Sequence, residues 1–388
     1  VIKFAVKRSD LSRAQTIISG YQDSNNYTQV FFQNDDTFIF SQVSGGSSSI
    51  RYESNAVFRD TSGWYYFLIV FDSGQATSTD RVKVFVNGDS LPMNEVNAAS
   101  LSQGTLLADN STPTNIGRRA GFNDTYFDGY LADIHFLDGI AASPTDFGRF
   151  SADTGEWVPK PYTGSYGTNG FHLDFSDTST FAAACEDRSG NNNDFTPNNY
   201  SGTVTDYAVL DTPVEGYPVL NELAQSSEVH SEGNLNYNTG GSSQHFPCFG
   251  SFLIPAKNKW YWEVIFNNSV ASADAYIGIV LKTEISSGLA VHSNFNNGYA
   301  YVSDGQKEAG ETKSTYGSSW SAGDVIGVEY DADNGNLSFR VNNTSQGDAF
   351  TGLTGEYIPA NSVRDNNVTI NFGQRGFTYT PPSGFTAL

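Results

Sequence analysis

Lys259-Trp260-Tyr261-Trp262-Glu263-Val264-Ile265-Phe266 has the pattern of a β-strand. Successive side chains of a strand point to opposite faces, so Trp260, Trp262, Val264 and Phe266 share one side. Similar segments follow it: Tyr276-Ile277-Gly278-Ile279-Val280, Gly298-Tyr299-Ala300-Tyr301, and Gly323-Asp324-Val325-Ile326-Gly327-Val328-Glu329-Tyr330-Asp331. A turn over 332–336 returns the chain along Leu337-Ser338-Phe339-Arg340-Val341-Asn342. The sequence closes through Asn371-Phe372-Gly373-Gln374-Arg375 and residues 379–385.

Upstream, the period is again that of strands. Trp64-Tyr65-Tyr66-Phe67-Leu68-Ile69-Val70-Phe71 is apolar on both faces, which predicts a central strand covered on each side. Arg81-Val82-Lys83-Val84-Phe85-Val86 runs into Asn87-Gly88 and then Asp89-Ser90-Leu91. An Asn-Gly pair accepts positive φ at both central turn positions, so these residues predict a hairpin. Phe127-Asp128-Gly129-Tyr130-Leu131-Ala132-Asp133-Ile134-His135-Phe136 predicts a strand entered through a glycine, and Ser143-Pro144 predicts the cap and first turn of a short helix.

Composition agrees with an all-β chain. Among 388 residues, aromatics make up 14% and Gly 38 residues, while charged residues are only 16% and Met occurs once. Helical bundles need Ala, Leu, Glu and Lys in bulk, and disordered chains lack aromatics. A net charge of −21 removes the usual electrostatic drive toward nucleic acid. No apolar run is long enough to span a membrane, and no basic-then-apolar leader opens the sequence. Val1–Val6 already reads as strand, so the expectation is a start inside a longer polypeptide. Cys185 and Cys248 stand far apart and are expected as free thiols, consistent with folding in a reducing cytoplasm.

These patterns divide the chain into residues 1–180, a Pro/Asn/Gly-rich linker with an edge strand over 181–229, and residues 230–388. Phe4-Ala5-Val6-Lys7-Arg8, Gly63-Trp64-Tyr65-Tyr66, Val84-Phe85-Val86-Asn87-Gly88 and Phe127-Asp128-Gly129-Tyr130-Leu131-Ala132-Asp133 follow an order that resembles a laminin-G-like, concanavalin A-like jelly roll. From residue 230 the Trp-Tyr-Trp-Glu strand, the Gly-Asp-Val-Ile-Gly strand, the Leu-x-Phe strand and the closing Asn-Phe-Gly resemble a SPRY domain. The expected fold is two β-sandwiches in tandem.

Glu329, Asp331 and Asp333 alternate as the carboxylates of a glycan-cleaving strand would, but they also end a hairpin strand of the SPRY pattern. Asp128 and Asp133 are odd-spaced, so they cannot share a strand face. His135, His172, His230, His245 and His292 show no metal-ligand spacing, and His172-Leu173-Asp174 has no nucleophile-elbow serine beside it. No dinucleotide-binding glycine motif is present. The residues point away from an enzyme. The loop around Asn123, Asp124, Tyr126 and Asp128 offers oxygens for Ca²⁺ and aromatic faces for a sugar. Tyr299, Tyr301, Asp304, Tyr316 and Trp320 lie on or beside segments where SPRY domains hold partners. No other cofactor is expected, and the abundant Asn-x-Ser/Thr triplets are attributed to composition.

The tandem order and the ending from Asn371 to Phe385 are similar to structural proteins of tailed bacteriophages, with Gly376 standing where proline is expected. That resemblance implies a non-enzymatic protein of the virion surface, as tail fibre, appendage or capsid decoration. Its implied partners are other virion proteins and a host-surface glycan, in a homo-oligomer made in the host cytoplasm, with neither nucleic acid nor membrane as partner. The alternatives are a cellular or secreted adhesion or partner-binding module and, third, a glycan-cleaving enzyme.

Overall fold

The computed structural model describes residues 1–98, 113–122, 124–224, 229–240, 245–267, 275–283, 298–310, 312–364 and 367–388. They form two compact units. One comprises Val1–Ala208 with Thr212–Val214, the other Val209–Asp211 with Glu215–Leu388. No helix among them is long and apolar enough to cross a membrane.

The first unit is a two-sheet sandwich. One sheet runs, in spatial order, Phe171–Leu173, Gly129–Phe136, Ile2–Arg8, Tyr65–Phe71, Val82–Val86 and Asp89–Leu91. The other runs Thr114–Ile116, Gln15–Asp23, Asn26–Phe32, Thr37–Ser44, Ser47–Val57 and Met93–Ala98. Phe4, Val6, Phe67 and Ile69 of the first sheet meet Val30, Phe32, Phe38 and Phe40 of the second in a closed aromatic core. Phe4 stacks on Phe67, their ring centroids 5.3 Å apart.

The doubly apolar pattern of 64–71 is explained by what covers it. Phe67 and Ile69 face the core, while Leu68 packs on the outer side with Leu137 and Phe147. Asn87 and Gly88 adopt φ of 51° and 83°, and the hairpin they close pairs Val86 with Asp89. The helix Pro144–Phe147 starts where expected, its Asp146 carboxylate accepting from the Ser143 amide at 2.7 Å.

Residues 181–208 stand with the first unit rather than apart from it. They hold a short helix, Phe181–Ala184, capped by the Thr180 hydroxyl, and Phe195 packs on Phe171 at 4.8 Å. The edge strand expected in this stretch is absent; the edge is Phe171–Leu173 instead. The reason is local: the Asp187 carboxylate accepts from the amides of His172, Ser189 and Asn193. Asn191 and Asn193 cap the Gly170 carbonyl. Side chains thus take the place of a ladder.

The second unit is also a sandwich. Its larger sheet runs Val229–Ser231, Asn236–Asn238, Asn367–Asn371, Lys259–Phe266, Val325–Asp331, Asn336–Val341 and Thr344–Phe350, with Thr386–Ala387 parallel to Lys259–Phe266. Its other sheet runs His245–Phe249, Tyr357–Arg364, Ala275–Leu281, Gly298–Val302, Gln306–Ala309 and Thr312–Thr315. Trp262, Val264 and Phe266 are buried as the alternation requires, while Trp260 of the same face is only half-buried, and Tyr261 and Glu263 on the opposite face are buried too. Phe377 packs edge-on against Tyr261, and Glu263 accepts from the amides of Thr378 and Tyr379. The closing segment therefore forms a lid over the second face of this strand.

Candidate functional site

Side chains from three neighbouring strands meet on the outer side of the first unit's first sheet. Antiparallel pairing of Gly129–Phe136 with Phe171–Leu173 sets His135 directly opposite His172. Their rings stack at 4.0 Å with 16° between planes. Pairing with Ile2–Arg8 sets Lys3 opposite His135, and then the register slips. The extra residue falls at Asp133 and Ile134, and Asp133 adopts φ of 50°. A β-bulge of this kind bends the strand and re-aims a side chain.

The result is one carboxylate held by three cations or cation-forming groups. Asp133 Oδ1 lies 2.9 Å from His135 Nε2 and 2.8 Å from His172 Nε2. Lys3 Nζ contacts Asp133 Oδ2 and donates to the Asp133 carbonyl at 3.1 Å. His135 Nδ1 meets the Tyr166 hydroxyl at 3.0 Å. His135 and Lys3 are almost wholly buried, whereas Asp133 keeps 40% of its side-chain surface and His172 20%. Burial opposes the charge of Asp133, but the imidazole donors and Lys3 outweigh it and hold the carboxyl far below the usual range. Burial drives His135 the other way, down to about 4, so this imidazole is neutral at pH 7. One ligand atom from each of Asp133, His135 and His172 lies within 4.8 Å of the others.

The loop singled out from sequence has a different character. Asn123 lies outside the described residues. Asp124 is exposed and pairs loosely with Arg119, at 3.7 Å. Tyr126 is 44% exposed. Asp128 is half-buried, its carboxyl pushed up by burial and by the charge of Asp10. Backbone bonds from Thr16 to Thr125 and from Phe127 to Gly117 hold the loop against the sheet end. The Arg119 guanidinium lies 3.5 Å from the Phe122 ring centroid and 5.2 Å from that of Tyr27.

In the second unit the candidate aromatics are mostly structural. Tyr301 is fully buried with its hydroxyl on the Ser318 carbonyl, and Trp320 packs edge-on against Phe266. Their side chains are out of a partner's reach. Tyr299 rests on Phe350 and Tyr357. Tyr316 donates to the Gly347 carbonyl at 2.5 Å. Asp304 is exposed and caps Gln306. Each alternating carboxylate has its own partner: Glu329 with Arg340, Asp331 with Lys259 and Asn334, Asp333 with the Asn258 amide.

Comparison with known proteins accords with this architecture. Residues 2–146 match the concanavalin A-like lectin/glucanases superfamily, and residues 259–375 match the SPRY domain. The chain carries a concanavalin A-like domain followed by a SPRY domain. A curated relative, the E3 ubiquitin-protein ligase RKP of Arabidopsis thaliana, is 32% identical over 142 residues. That match covers 34% of this chain, and the chain spans about a tenth (10%) of the relative's length. Among solved structures, the SPRY domain of human HERC1 matches at 15% identity and a TM-score of 0.34, over 39% of this chain and 96% of that one. The expectation that the protein is not an enzyme is corrected by the ligase match, because a related segment is part of a protein named as an enzyme.

The sequence reading missed the Asp133–His135–His172 group, since its members lie on two strands 39 residues apart at most. A usable signal was present: Ile134-His135-Phe136 and Phe171-His172-Leu173 each centre a histidine between core residues. If such strands pair in that register, the two imidazoles must face each other.

Proposed function

We propose that the chain is a binding and adhesion module of a tailed-bacteriophage virion surface, and that the concanavalin A-like domain takes a host-surface glycan at its 113–128 rim. The observation that carries this reading is the Arg119–Phe122–Tyr27 stack beside exposed Asp124 and Tyr126. Aromatic faces accept the C–H faces of sugars, while the guanidinium and carboxylate can bond hydroxyls. The virion setting is supported by the similarity of residues 371–385 to phage structural proteins and by the acidic charge, which keeps β-rich surfaces from self-association. The SPRY domain would then face neighbouring virion proteins.

The test has two arms. The 388-residue chain is applied to an array of bacterial surface polysaccharides, with Tyr126→Ala and Arg119→Ala as controls of unchanged unfolding. Binding to one class, weakened roughly tenfold or more by each substitution, is expected. Failure to bind any glycan, or equal binding by the variants, overturns the glycan assignment. Antibody labelling of purified particles is expected to decorate their surface, and its absence overturns the virion setting. The match to a ubiquitin ligase favours a second reading, a substrate-recognition segment of such an enzyme. Co-purification with ubiquitin-conjugating proteins, in place of particle labelling, would favour it.

A further inference from the structure

We propose that Asp133, His135 and His172 form a binding site for a borderline transition-metal dication of the Zn²⁺, Co²⁺ or Ni²⁺ type. Imidazole nitrogen with one carboxylate oxygen is the donor set such ions prefer, and hard Ca²⁺ prefers oxygens alone. Both Nε2 atoms already converge on one carboxylate oxygen, at 2.9 and 2.8 Å. An ion taken here replaces those two N–H···O bonds with bonds from the imidazole lone pairs, so each imidazole carries its proton on Nδ1 instead.

The surroundings suit that exchange. The Tyr166 hydroxyl faces His135 Nδ1 and can serve either tautomer: it donates to a bare Nδ1 and accepts from Nδ1–H. Tyr166 also lies nearly parallel to both imidazoles, 7° from the His135 plane and 11° from the His172 plane, with ring centroids 5.8 and 6.0 Å away, so it flanks the stacked pair. Hydrogen bonds to the far nitrogen of a ligand histidine are the usual support of metal sites. Asp133 and His172 remain partly exposed, so an ion has a way in and a position open to water or an added ligand.

Lys3 sets the affinity. Its ammonium engages Oδ2 and leaves Oδ1 as the single carboxylate donor. It also places a positive charge beside the incoming dication and weakens binding. A site built only for hydrogen bonding would gain nothing for a metal on losing Lys3, whereas this one gains affinity.

The experiment is calorimetric titration of the chelator-stripped 388-residue chain with ZnCl₂ at pH 7.5, with CoCl₂ absorption as the spectroscopic counterpart. One Zn²⁺ per chain is expected, with visible Co²⁺ bands of imidazole ligation. His172→Ala weakens binding roughly tenfold or more, as does His135→Gln, and Lys3→Met tightens it by roughly tenfold or more. Circular dichroism of each variant checks the fold, and because Lys3→Met must improve binding, a misfolded variant cannot imitate the result. Absence of stoichiometric binding overturns the proposal. So does Zn²⁺ affinity that is unchanged in His172→Ala, or displacement of Zn²⁺ by equimolar Ca²⁺.

Discussion

Glu263 is the acid of the Trp-Tyr-Trp-Glu strand, and its replacement probes how the closing segment is held. The side chain is fully buried. Oε1 accepts from the Tyr261 hydroxyl at 3.1 Å and the Tyr379 amide at 2.9 Å, and Oε2 accepts from the Thr378 amide at 2.7 Å. Glutamine keeps the shape. Its carbonyl can replace Oε1, but its NH₂ then points at the Thr378 N–H, donor against donor. One charge-assisted bond is lost and one amide is stranded, so Glu263→Gln is expected to cost about 2–3 kcal/mol. Glu263→Ala strands both amides and leaves a cavity, at about 4–5 kcal/mol. For a domain of this size, the glutamine variant should melt roughly 5–10 °C lower. Urea unfolding followed by tryptophan fluorescence and calorimetry reads the effect, which belongs to the transition of the SPRY unit alone. Limited proteolysis should cut near residues 377–385 in the variant before any other site. A loss under about 0.5 kcal/mol, or alanine no worse than glutamine, would refute the reasoning.

Three further outcomes follow from the geometry. A Cβ on Gly278 would stand 1.9 Å from the Tyr299 carbonyl oxygen and 2.9 Å from Ala300 Cα, both backbone atoms; Gly278→Ala should therefore lose about 3 kcal/mol or more in urea unfolding. Asp36 and Arg8 form a fully buried ion pair at 3.0 Å, with Arg59 and the Ser12 amide also on Asp36, so Asp36→Asn should cost about 3–5 kcal/mol by the same assay. Burial opposes the charge of Asp331, but Lys259 at 2.8 Å and Asn334 outweigh it and hold the carboxyl below its ordinary 3.8. A depressed folded pKa contributes stability that is complete above the unfolded value and is lost as pH falls through the folded one. The urea midpoint should thus decline below about pH 4, and Asp331→Asn should flatten that acid limb.

Much of the fold could be read locally because strand alternation and turn chemistry are local. The hairpin at Asn87-Gly88 needs only two residues that tolerate positive φ, and Ser143-Pro144 needs only a cap and a first-turn proline. Trp262, Val264 and Phe266 declare a buried face by spacing alone. What covers Tyr261 and Glu263 could not be read that way, since Thr378 and Tyr379 arrive from 115 and 116 residues downstream. Tyr301 and Trp320 illustrate the same limit: an aromatic beside a loop can pack inward or face a partner, and the neighbouring sheet decides which.

The sequence by itself determined two β-sandwiches, their order, their acidic coat and the strand-to-strand pattern of their cores. Only the tertiary structure decided which polar groups meet. Asp133 and His135 looked like ordinary strand residues, and His172 belonged to another segment. The pairing of two strands, and one inserted residue that swings Asp133 to φ of 50°, brings the three together. Periodicity reports faces along a strand, and register between strands is a property of the folded chain.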